Sequence, residues 1–251
     1  MPHLALVTGS AKRLGREIAL RLAAEGCDVV VHYRSSAEEA DATVADISEL
    51  GVKTAAVGFD QSAPEEIDAG FAKILGIFGR APDVLVNSAS MFVWDDIETV
   101  ERKGLETHFA ANVVGPVLLT QKVFAASSEE TRGLVLNMLD QKLFNPNPDH
   151  VSYTLTKYAL QGFTEMMARR LAPRFRVNAI APGYTLPDVD AGGSEHYEAT
   201  RHDTPLERGP SPSDIADAAA YLLNAKATTG QTILVDGGAH IRPAERNFTQ
   251  G

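Results

Sequence analysis

The sequence predicts an α/β fold: a single domain built on a doubly wound, seven-stranded parallel sheet with helices on both faces. Short apolar runs alternate with longer amphipathic stretches along nearly all of the 251 residues. The apolar runs are rich in Val, Ile and Leu without regular polar–apolar alternation, as expected of strands buried on both faces. This arrangement indicates right-handed β–α–β crossovers within one parallel sheet.

Helices separate the predicted strands, and several of them have readable ends. The strands are predicted at Leu4–Thr8, Asp28–Tyr33, Lys53–Phe59, Val84–Asn87, Leu134–Leu139, Arg176–Ile180 and Thr232–Val235. The helices are predicted near 14–25, 36–50, 64–78, 100–128, 151–172 and 212–224. Gly26 and Gly51 follow the first two helices, while Ser211 and Pro212 open the last, as helix stop and start signals usually do.

The longest irregular stretch runs from Tyr184 to Pro210 and is rich in Pro, Gly and Asp. A loop of this length in a compact domain is usually a lid or a binding loop. We therefore expect residues 184–210 to cover a substrate, with a variable surface insertion as the alternative. No repeat, linker or low-complexity segment divides the chain, so residues 1–251 are predicted to form one domain.

Composition argues against several classes of partner. The net charge of -10 disfavours nucleic acid and anionic membrane surfaces, although a local cationic pocket can still bind an anion. A single cysteine, Cys27, excludes an internal disulfide and fits a reducing compartment. There is no signal-peptide pattern and no apolar run near the ~18 residues of a membrane span. We expect a cytoplasmic protein, and the seven histidines show no metal-ligand spacing.

The turn between the first strand and the first helix has the pattern of a dinucleotide site. It reads Thr8-Gly9-Ser10-Ala11-Lys12-Arg13-Leu14-Gly15. Glycine permits positive φ and lets the backbone approach a pyrophosphate, while the helix N-terminus offers unpaired N–H groups. A glycine pair is weak evidence alone but strong between a first strand and a first helix. The sequence therefore predicts a Rossmann-type cofactor site that includes Gly9, Ser10, Arg13, Leu14 and Gly15.

The end of the second strand indicates which nicotinamide cofactor is used. It reads His32-Tyr33-Arg34-Ser35-Ser36, with no acid until Glu38. An acid there would bind a ribose diol, whereas a cation suits a 2′-phosphate. Arg34 and Arg13 could converge on that phosphate through charge-assisted bonds of roughly 1.5–3 kcal/mol each; otherwise both are solvated surface residues. NADPH is the predicted cofactor, and His32, Tyr33, Arg34 and Ser35 are predicted to bind it.

Polar residues after the third and fourth strands complete the predicted cofactor site. Asp60 is placed to accept a hydrogen bond from an adenine amino group. Asn87-Ser88-Ala89 ends the fourth strand near the expected ribose and nicotinamide. From spacing alone, ordinary turn residues explain this second stretch nearly as well.

Three titratable residues suggest proton-transfer chemistry. Asp140 ends the fifth strand, and Tyr153 and Lys157 lie four residues apart on the next helix, hence on one face of it. A phenol keeps its proton to pH ~10, and a nearby ammonium lowers that pKa by favouring the phenolate. Asp140 is placed to act as a second proton donor or as an orienting group.

Together these residues resemble the short-chain dehydrogenase/reductase family over essentially the whole chain. The matching elements are Thr8-Gly9…Gly15, Asp60, Asn87-Ser88-Ala89, Asn112, Tyr153-x-x-x-Lys157, Pro182-Gly183 and Asp236-Gly237-Gly238. The resemblance implies that Tyr153 is the general acid, that Lys157 lowers its pKa and binds the nicotinamide ribose, and that Asn112 supports a proton relay. It also implies cofactor contacts at Pro182 and Gly183, and a homotetramer in which Arg242 could reach a neighbouring subunit's site.

The chain departs from the usual family pattern at three places. The family usually has a serine where Asp140 stands, a glycine where Arg13 stands, and Asn-Asn-Ala-Gly where this chain has Asn87-Ser88-Ala89-Ser90. A carboxylate repels a developing alkoxide, but it suits a ring nitrogen or amino group that must gain or share a proton. Asp140 could instead be a structural carboxylate that caps the following loop.

This combination is similar to the pteridine reductases, including the bacterial dihydromonapterin reductases. They carry Lys-Arg-Leu-Gly or a close variant in the first turn, His-Tyr and an arginine after the second strand, the Asp-Tyr-Lys trio, and Ala-Ser-x-Phe, here Ala89-Ser90-Met91-Phe92. The resemblance implies that Phe92 stacks on a pterin and that Ser90 contacts substrate and cofactor. A core or loop-anchoring aromatic is the alternative for Phe92.

The implied reaction is hydride transfer from NADPH to a C=N carbon of a pterin, with Tyr153 delivering the proton and Asp140 as donor or orienting partner. Two other functions are compatible with the sequence. One is a carbonyl reductase of the same family, against which Asp140 and Phe92 argue. The other is a non-catalytic NADP(H)-binding sensor, which would not need Tyr153, Lys157 and Asn112 together.

Overall fold

The computed structural model describes residues 1–187 and 202–242. Its seven strands form one parallel sheet in the order β3-β2-β1-β4-β5-β6-β7. The strands are β1 (Leu4–Val7), β2 (Asp28–Tyr33), β3 (Thr54–Gly58), β4 (Val84–Asn87), β5 (Gly133–Met138), β6 (Phe175–Pro182) and β7 (Thr232–Val235). The predicted doubly wound, seven-stranded sheet is confirmed, and the predicted strands are all present within a few residues.

Helices cover both faces of this sheet. They are α1 (Arg13–Ala24), α2 (Ala37–Ser48), α3 (Pro64–Phe78), α4 (Arg102–Phe109), α5 (Gly115–Ala125), α6 (Val151–Arg170) and α7 (Pro212–Asn224). Helices α1, α2 and α7 share one hydrophobic core with strand residues such as Ala5 and Val7. Helices α3 and α5 share the other with strand residues such as Leu4 and Leu6. Since all four residues of β1 are fully buried, this strand carries no polar–apolar alternation.

The helix predicted over residues 100–128 is divided in the structure. A π-helical turn, Ala110–Val114, joins α4 to α5. Pro116 follows at once; it has no N–H to bond the carbonyl of Asn112, and its ring crowds that carbonyl. A wide turn relieves this conflict, and such turns often lie at functional sites. None of the helices in the described ranges has the length and hydrophobicity that a transmembrane segment needs.

Candidate active site

A cleft of about 1010 Å³ opens at the carboxyl edge of the sheet. The strand order reverses there between β1 and β4, and such switch points are where doubly wound sheets bind ligands. The cleft brings together most of the predicted site residues. Those that line it are Gly9, Arg13, Leu14, Gly15, His32, Tyr33, Arg34, Ser35, Asp60, Ser88, Ala89, Ser90, Phe92, Asp140, Tyr153, Lys157, Pro182 and Gly183.

Three predicted site residues do not line the cleft, because their side chains are buried against other protein groups. The Ser10 hydroxyl donates to the Val7 carbonyl at 2.7 Å and accepts from the His32 N–H at 3.0 Å. The Asn87 side chain donates to Asn137 Oδ1 at 2.8 Å. Asn112 is 1% exposed. It could therefore act in a reaction only through the residues that it contacts.

The turn between β1 and α1 is shaped as a cradle that a β-carbon would fill. Gly9 has φ +65°, and a Cβ there would lie 2.9 Å from the Ala89 Cα. A Cβ on Gly15 would lie 2.4 Å from the Gly9 carbonyl oxygen. Helix α1 begins without a side-chain cap and without an acid in its first turn, which suits a bound anion. These features fit a pyrophosphate against the backbone.

His32 forms a hydrogen bond with this turn from the buried side. Its Nδ1 accepts a hydrogen bond from the Gly9 N–H at 3.0 Å, so its Nε2 carries the proton and donates to the Phe59 carbonyl at 3.0 Å. Burial lowers the pKa of His32 to about 4. The imidazole is therefore neutral at pH 7, and both of its nitrogens are committed to protein contacts.

Arg13 occupies a backbone conformation that favours glycine. Its φ is +57°. This conformation explains why the short-chain dehydrogenase/reductase family usually has a glycine at this position. The guanidinium lines the cleft and donates to the Pro187 carbonyl at 3.0 Å. Arg34 is exposed at the end of β2 and also lines the cleft. Convergence of the two arginines on one phosphate stays a prediction.

Asp140 and Tyr153 are directly hydrogen-bonded. The Tyr153 hydroxyl donates to Asp140 Oδ2 at 2.8 Å, and the Lys142 N–H donates to Asp140 Oδ1 at 2.8 Å. The second bond makes Asp140 the cap of a short 3-10 turn, Gln141–Leu143. One carboxylate thus combines two features that the sequence presents as alternatives, a loop cap and a partner of Tyr153.

The pKa of Tyr153 is shifted in the direction opposite to the expectation. Burial raises it well above its ordinary value, and the charge and hydrogen bond of Asp140 raise it further. The Lys157 ammonium donates instead to the Met138 carbonyl at 2.7 Å and lies 5.3 Å from the centroid of the Tyr153 ring. The expectation that Lys157 brings the pKa of Tyr153 below ~10 is wrong here, because burial raises that pKa and the bonded Asp140 carboxylate raises it further.

Lys157 is itself perturbed. Its side chain is 4% exposed. Burial lowers its pKa to about 8, although the Asp140 carboxylate acts to raise it. Lys157 therefore loses its charge at a much lower pH than an ordinary lysine.

Asn112 ties the loop after β4 to α6. Its Oδ1 accepts from the Met91 N–H at 2.7 Å, and its Nδ2 donates to the Met91 carbonyl at 2.9 Å and to the Thr156 hydroxyl at 3.1 Å. Because Thr156 precedes Lys157, these bonds help to fix the helix face that carries the lysine. The proton-relay role of Asn112 is a prediction that these contacts leave open.

The start of α6 is held by Asp95, which sequence reasoning missed. Asp95 lies on the loop after β4, and its carboxylate accepts from the backbone N–H and the hydroxyl of Ser152. Its carbonyl accepts from the His150 N–H at 2.7 Å. A carboxylate at a helix N-terminus also complements the helix dipole. No short motif marks this contact, because Asp95 and Ser152 are distant in sequence.

Phe92 packs on residues of the same site. Its ring stacks on His150 at 4.2 Å between centroids and meets Tyr153 edge-on at 4.6 Å. Phe92 is 40% exposed at the cleft. These contacts agree with Phe92 as a loop-anchoring aromatic. Stacking of Phe92 on a pterin stays a prediction.

Several residues that line the cleft had not been singled out from the sequence. They include the polar residues Lys142 and Gln61 and the aromatic residue Tyr184. Lys142 and Gln61 each stand within two residues of a predicted site aspartate, which is the only sequence signal that could have found them. Tyr184 directly follows the Pro182-Gly183 pair.

The predicted substrate loop is described only at its two ends. Tyr184 and Leu186 line the cleft, and residues 188–201 lie outside the described part of the chain. Arg242 forms an ion pair with Asp203 and donates to its carbonyl at 3.0 Å, both within the same chain. Within residues 1–187 and 202–242, no group of three or more His, Cys, Asp or Glu side chains could hold a metal ion.

Comparison with known proteins gives a matching family model and a similar protein sequence. A family model described as enoyl-(acyl carrier protein) reductase matches residues 9–240. The 3-oxoacyl-(acyl-carrier-protein) reductase FabG of Staphylococcus aureus strain Mu50 is 34% identical over 245 residues, covering 96% of this chain and 99% of that protein.

Two solved structures combine this likeness with a bound cofactor. FolM alternative dihydrofolate reductase 1 from Brucella canis, complexed with NADP, is 34% identical, with a TM-score of 0.92 over 98% of this chain and 97% of that chain. The same enzyme from Brucella suis, also with NADP, is 34% identical, with a TM-score of 0.88 over 96% of each chain. The relatives therefore include both a keto-acyl reductase and an alternative dihydrofolate reductase.

Proposed function

The chain belongs to the short-chain dehydrogenase/reductase family, and we propose that it reduces a C=N bond of a pterin. It is an oxidoreductase, and its cofactor is NADPH. The observation that carries the pterin proposal is the Asp140 carboxylate in the cleft, bonded to the Tyr153 hydroxyl at 2.8 Å. The likeness to the two Brucella FolM structures supports the same substrate class.

The residues of the cleft fit this cofactor. Gly9 and Gly15 leave room for a pyrophosphate at the start of α1, since a β-carbon at either would meet backbone. Arg34 and Arg13 supply cations, and no acid stands at the end of β2 to bind a ribose diol. When bound, the cofactor supplies a hydride.

Asp140 favours a substrate that carries N–H donors. A carboxylate can only accept hydrogen bonds, so it cannot polarise a ketone oxygen as a hydroxyl donor does. A pterin presents an amino group and ring N–H groups on the same bicyclic ring system as its reducible C=N bonds, and these can donate to Asp140. A carboxylate beside a developing alkoxide would instead raise the barrier by charge repulsion.

Tyr153 is suited to protonate a strong base. Its raised pKa means that it keeps its proton at neutral pH. A ring nitrogen that gains the electron pair of a broken C=N bond is basic enough to take that proton. The product then carries one new C–H bond and one new N–H bond, and the Lys157 ammonium lies 5.3 Å from the ring centroid of the phenolate left behind. Proton transfer of this kind contributes about 10²–10⁴-fold.

Keto reduction is the second candidate, and the FabG relatives support it. Both reactions need the same Gly-rich turn, Tyr153 and Lys157. The two candidates differ at Asp140, where carbonyl reduction calls for a neutral donor.

A substrate panel separates the candidates. The purified chain is given NADPH with dihydromonapterin, dihydrobiopterin, dihydrofolate and an acetoacetyl thioester, and loss of NADPH absorbance is followed. We expect turnover with the dihydropterins and little with the thioester. Turnover of the thioester alone would establish keto reduction, and tight NADPH binding without any turnover would indicate a binding protein.

Variants of two tyrosines provide the control for this panel. Tyr153→Phe removes the hydroxyl and should abolish most of the turnover while NADPH still binds. Tyr221→Phe removes a hydroxyl from an exposed position on α7 and should change nothing.

A further inference from the structure

A buried lysine stands beside Asp140 and has no part in the chemistry described above. Lys142 is 8% exposed, lies in the short turn Gln141–Leu143, and lines the cleft. Taking an ammonium out of water is unfavourable unless it gains partners. A lysine that only made the surface soluble would be exposed, so the burial of Lys142 indicates a role in the structure of the site.

Its contacts join the two parts of the chain that hold Asp140 and Tyr153. The backbone N–H of Lys142 donates to Asp140 Oδ1 at 2.8 Å, and its side-chain Nζ donates to the Asp149 carbonyl. Asp149 comes two residues before Val151, where α6 begins, and Tyr153 lies in the first turn of that helix. One side chain thus connects the turn of Asp140 to the entry of the helix that carries Tyr153.

The charges around Lys142 come from three elements. Burial lowers the pKa of Lys142, and three carboxylates act to raise it. These are Asp140 on its own turn, Asp149 on the loop that follows, and Asp95 on the loop after β4. The Asp140 charge acts in the same way on Lys157 of α6, and its carboxylate accepts from the Tyr153 hydroxyl. The same charge adds to the burial that raises the pKa of Tyr184. The ammonium groups of Lys142 and Lys157, which lie on different elements, therefore both attract the Asp140 carboxylate.

We propose that Lys142 is a positioning residue that fixes the turn of Asp140 against the start of α6 and so holds Asp140 against Tyr153. The inference rests on the proposed function for the role of the Asp140–Tyr153 pair. It does not depend on which substrate is reduced. Lys142 acts through these neighbours and not on the substrate itself.

Three substitutions separate its hydrogen bond from its charge. Lys142→Arg keeps a cation and a donor, Lys142→Gln keeps a donor alone, and Lys142→Met keeps neither. For each, kcat and KM are measured between about pH 5 and 9, together with thermal unfolding and NADPH affinity. Lys73→Met, at an exposed position on α3, is the matched control.

We expect Lys142→Met to lower kcat by about tenfold to a hundredfold, because a small misplacement of reacting groups costs that much. NADPH affinity should stay within about twofold, since the contacts of Lys142 involve none of the predicted cofactor residues. The loss should fall on kcat, with KM changed less than kcat at each pH, because Lys142 contacts the groups that hold the reacting pair and not the substrate. Lys142→Arg should restore kcat, and Lys73→Met should match the parent chain.

An unchanged kcat in Lys142→Met would overturn the inference. So would an equal loss of kcat in all three variants together with an equal loss of thermal stability, which is the result of a purely structural role. If Lys142→Met does not fold, the comparison of Lys142→Gln with Lys142→Arg decides. If the parent chain reduces only ketones, the pterin proposal fails while the same profiles, measured with the ketone, still test Lys142.

Discussion

Asp140 divides its two carboxylate oxygens between the turn that follows it and the hydroxyl of Tyr153. The first bond is local, and the second joins the start of the turn after β5 to α6. Because one residue does both, a substitution there changes local structure and chemistry together. Tests of Asp140 therefore need a variant that keeps the cap.

Asp140→Asn should keep the bond from the Lys142 N–H through its amide oxygen but remove the charge. We expect kcat with a dihydropterin to fall by about 10²-fold or more in both Asp140→Asn and Asp140→Ala. Steady-state turnover with NADPH measures this. The control is Asp96→Ala, which removes an exposed turn cap made to Glu98 and Thr99. Full activity in Asp140→Asn would show that the residue is a cap alone.

At the scale of elements, the cofactor turn and the divided helix show how local chemistry shapes the cleft. The turn after β1 was predictable because its positive φ at Gly9 and the crowding of Gly15 arise within the turn itself, although the close approach of Ala89 to Gly9 does not. The π-helical turn was not predicted, although Gly115-Pro116 marks its end. A continuous apolar pattern over residues 100–128 favours one helix, and a single proline shifts the hydrogen bonding locally without breaking that pattern.

Gly15→Ala should damage the cofactor site without unfolding the sheet. The new β-carbon would lie 2.4 Å from the Gly9 carbonyl oxygen, so the turn must shift. Overpacking of this kind costs about 1–3 kcal/mol, and NADPH affinity should fall at least tenfold. Fluorescence titration with NADPH measures the affinity, and thermal melting measures the stability.

Gly76→Ala is the matched control for this change. A β-carbon at Gly76 on α3 meets nothing within 4 Å. Alanine is the better helix former, so stability should be equal or higher by up to about 1 kcal/mol, with unchanged NADPH affinity. Equal NADPH affinity in Gly15→Ala and Gly76→Ala would argue against the pyrophosphate cradle.

At the scale of the whole molecule, His32 makes stability depend on pH. It joins β2 to the turn after β1 and to Phe59 after β3, and it is neutral in the folded chain. Its pKa is about 4 when folded, against an ordinary value of 6.5. Between these two values the unfolded chain binds the extra proton, so the free energy of unfolding falls as the pH falls.

We expect His32 to account for a loss of up to about 3 kcal/mol in the free energy of unfolding between pH 6.5 and pH 4. Urea unfolding at several pH values measures it. His32→Gln, which cannot titrate, should be less stable at pH 7 and should lose less stability on acidification. His3→Gln is a useful contrast, because Asp83 raises the pKa of His3, so that His3 stabilises the fold at low pH. Equal acid sensitivity of the parent chain and His32→Gln would refute the assignment.

The candidate site was partly predictable for the same reason that the fold was. The Gly-rich turn, the strand ends at Asp60 and Asp140, and the Tyr153–Lys157 spacing are all properties of short segments. The contacts that set their chemistry join distant segments, as Asp95 does with Ser152, His32 with Gly9, and Lys142 with Asp149. The lysine on the tyrosine's own helix was expected to set the pKa of Tyr153. Burial raises that pKa instead, and the carboxylate of Asp140, which lies just after β5, raises it further.

The amino-acid sequence by itself determined the parallel sheet, the order of its elements, the glycine cradle and the identity of the titratable residues. These follow from hydrophobic periodicity and backbone sterics, which act over a few residues. Only the tertiary structure decided which group hydrogen-bonds Tyr153, where the helix around Asn112 widens, and which buried side chains hold the site. Those outcomes depend on strand register and on burial, and both arise only when segments far apart in the chain pack together.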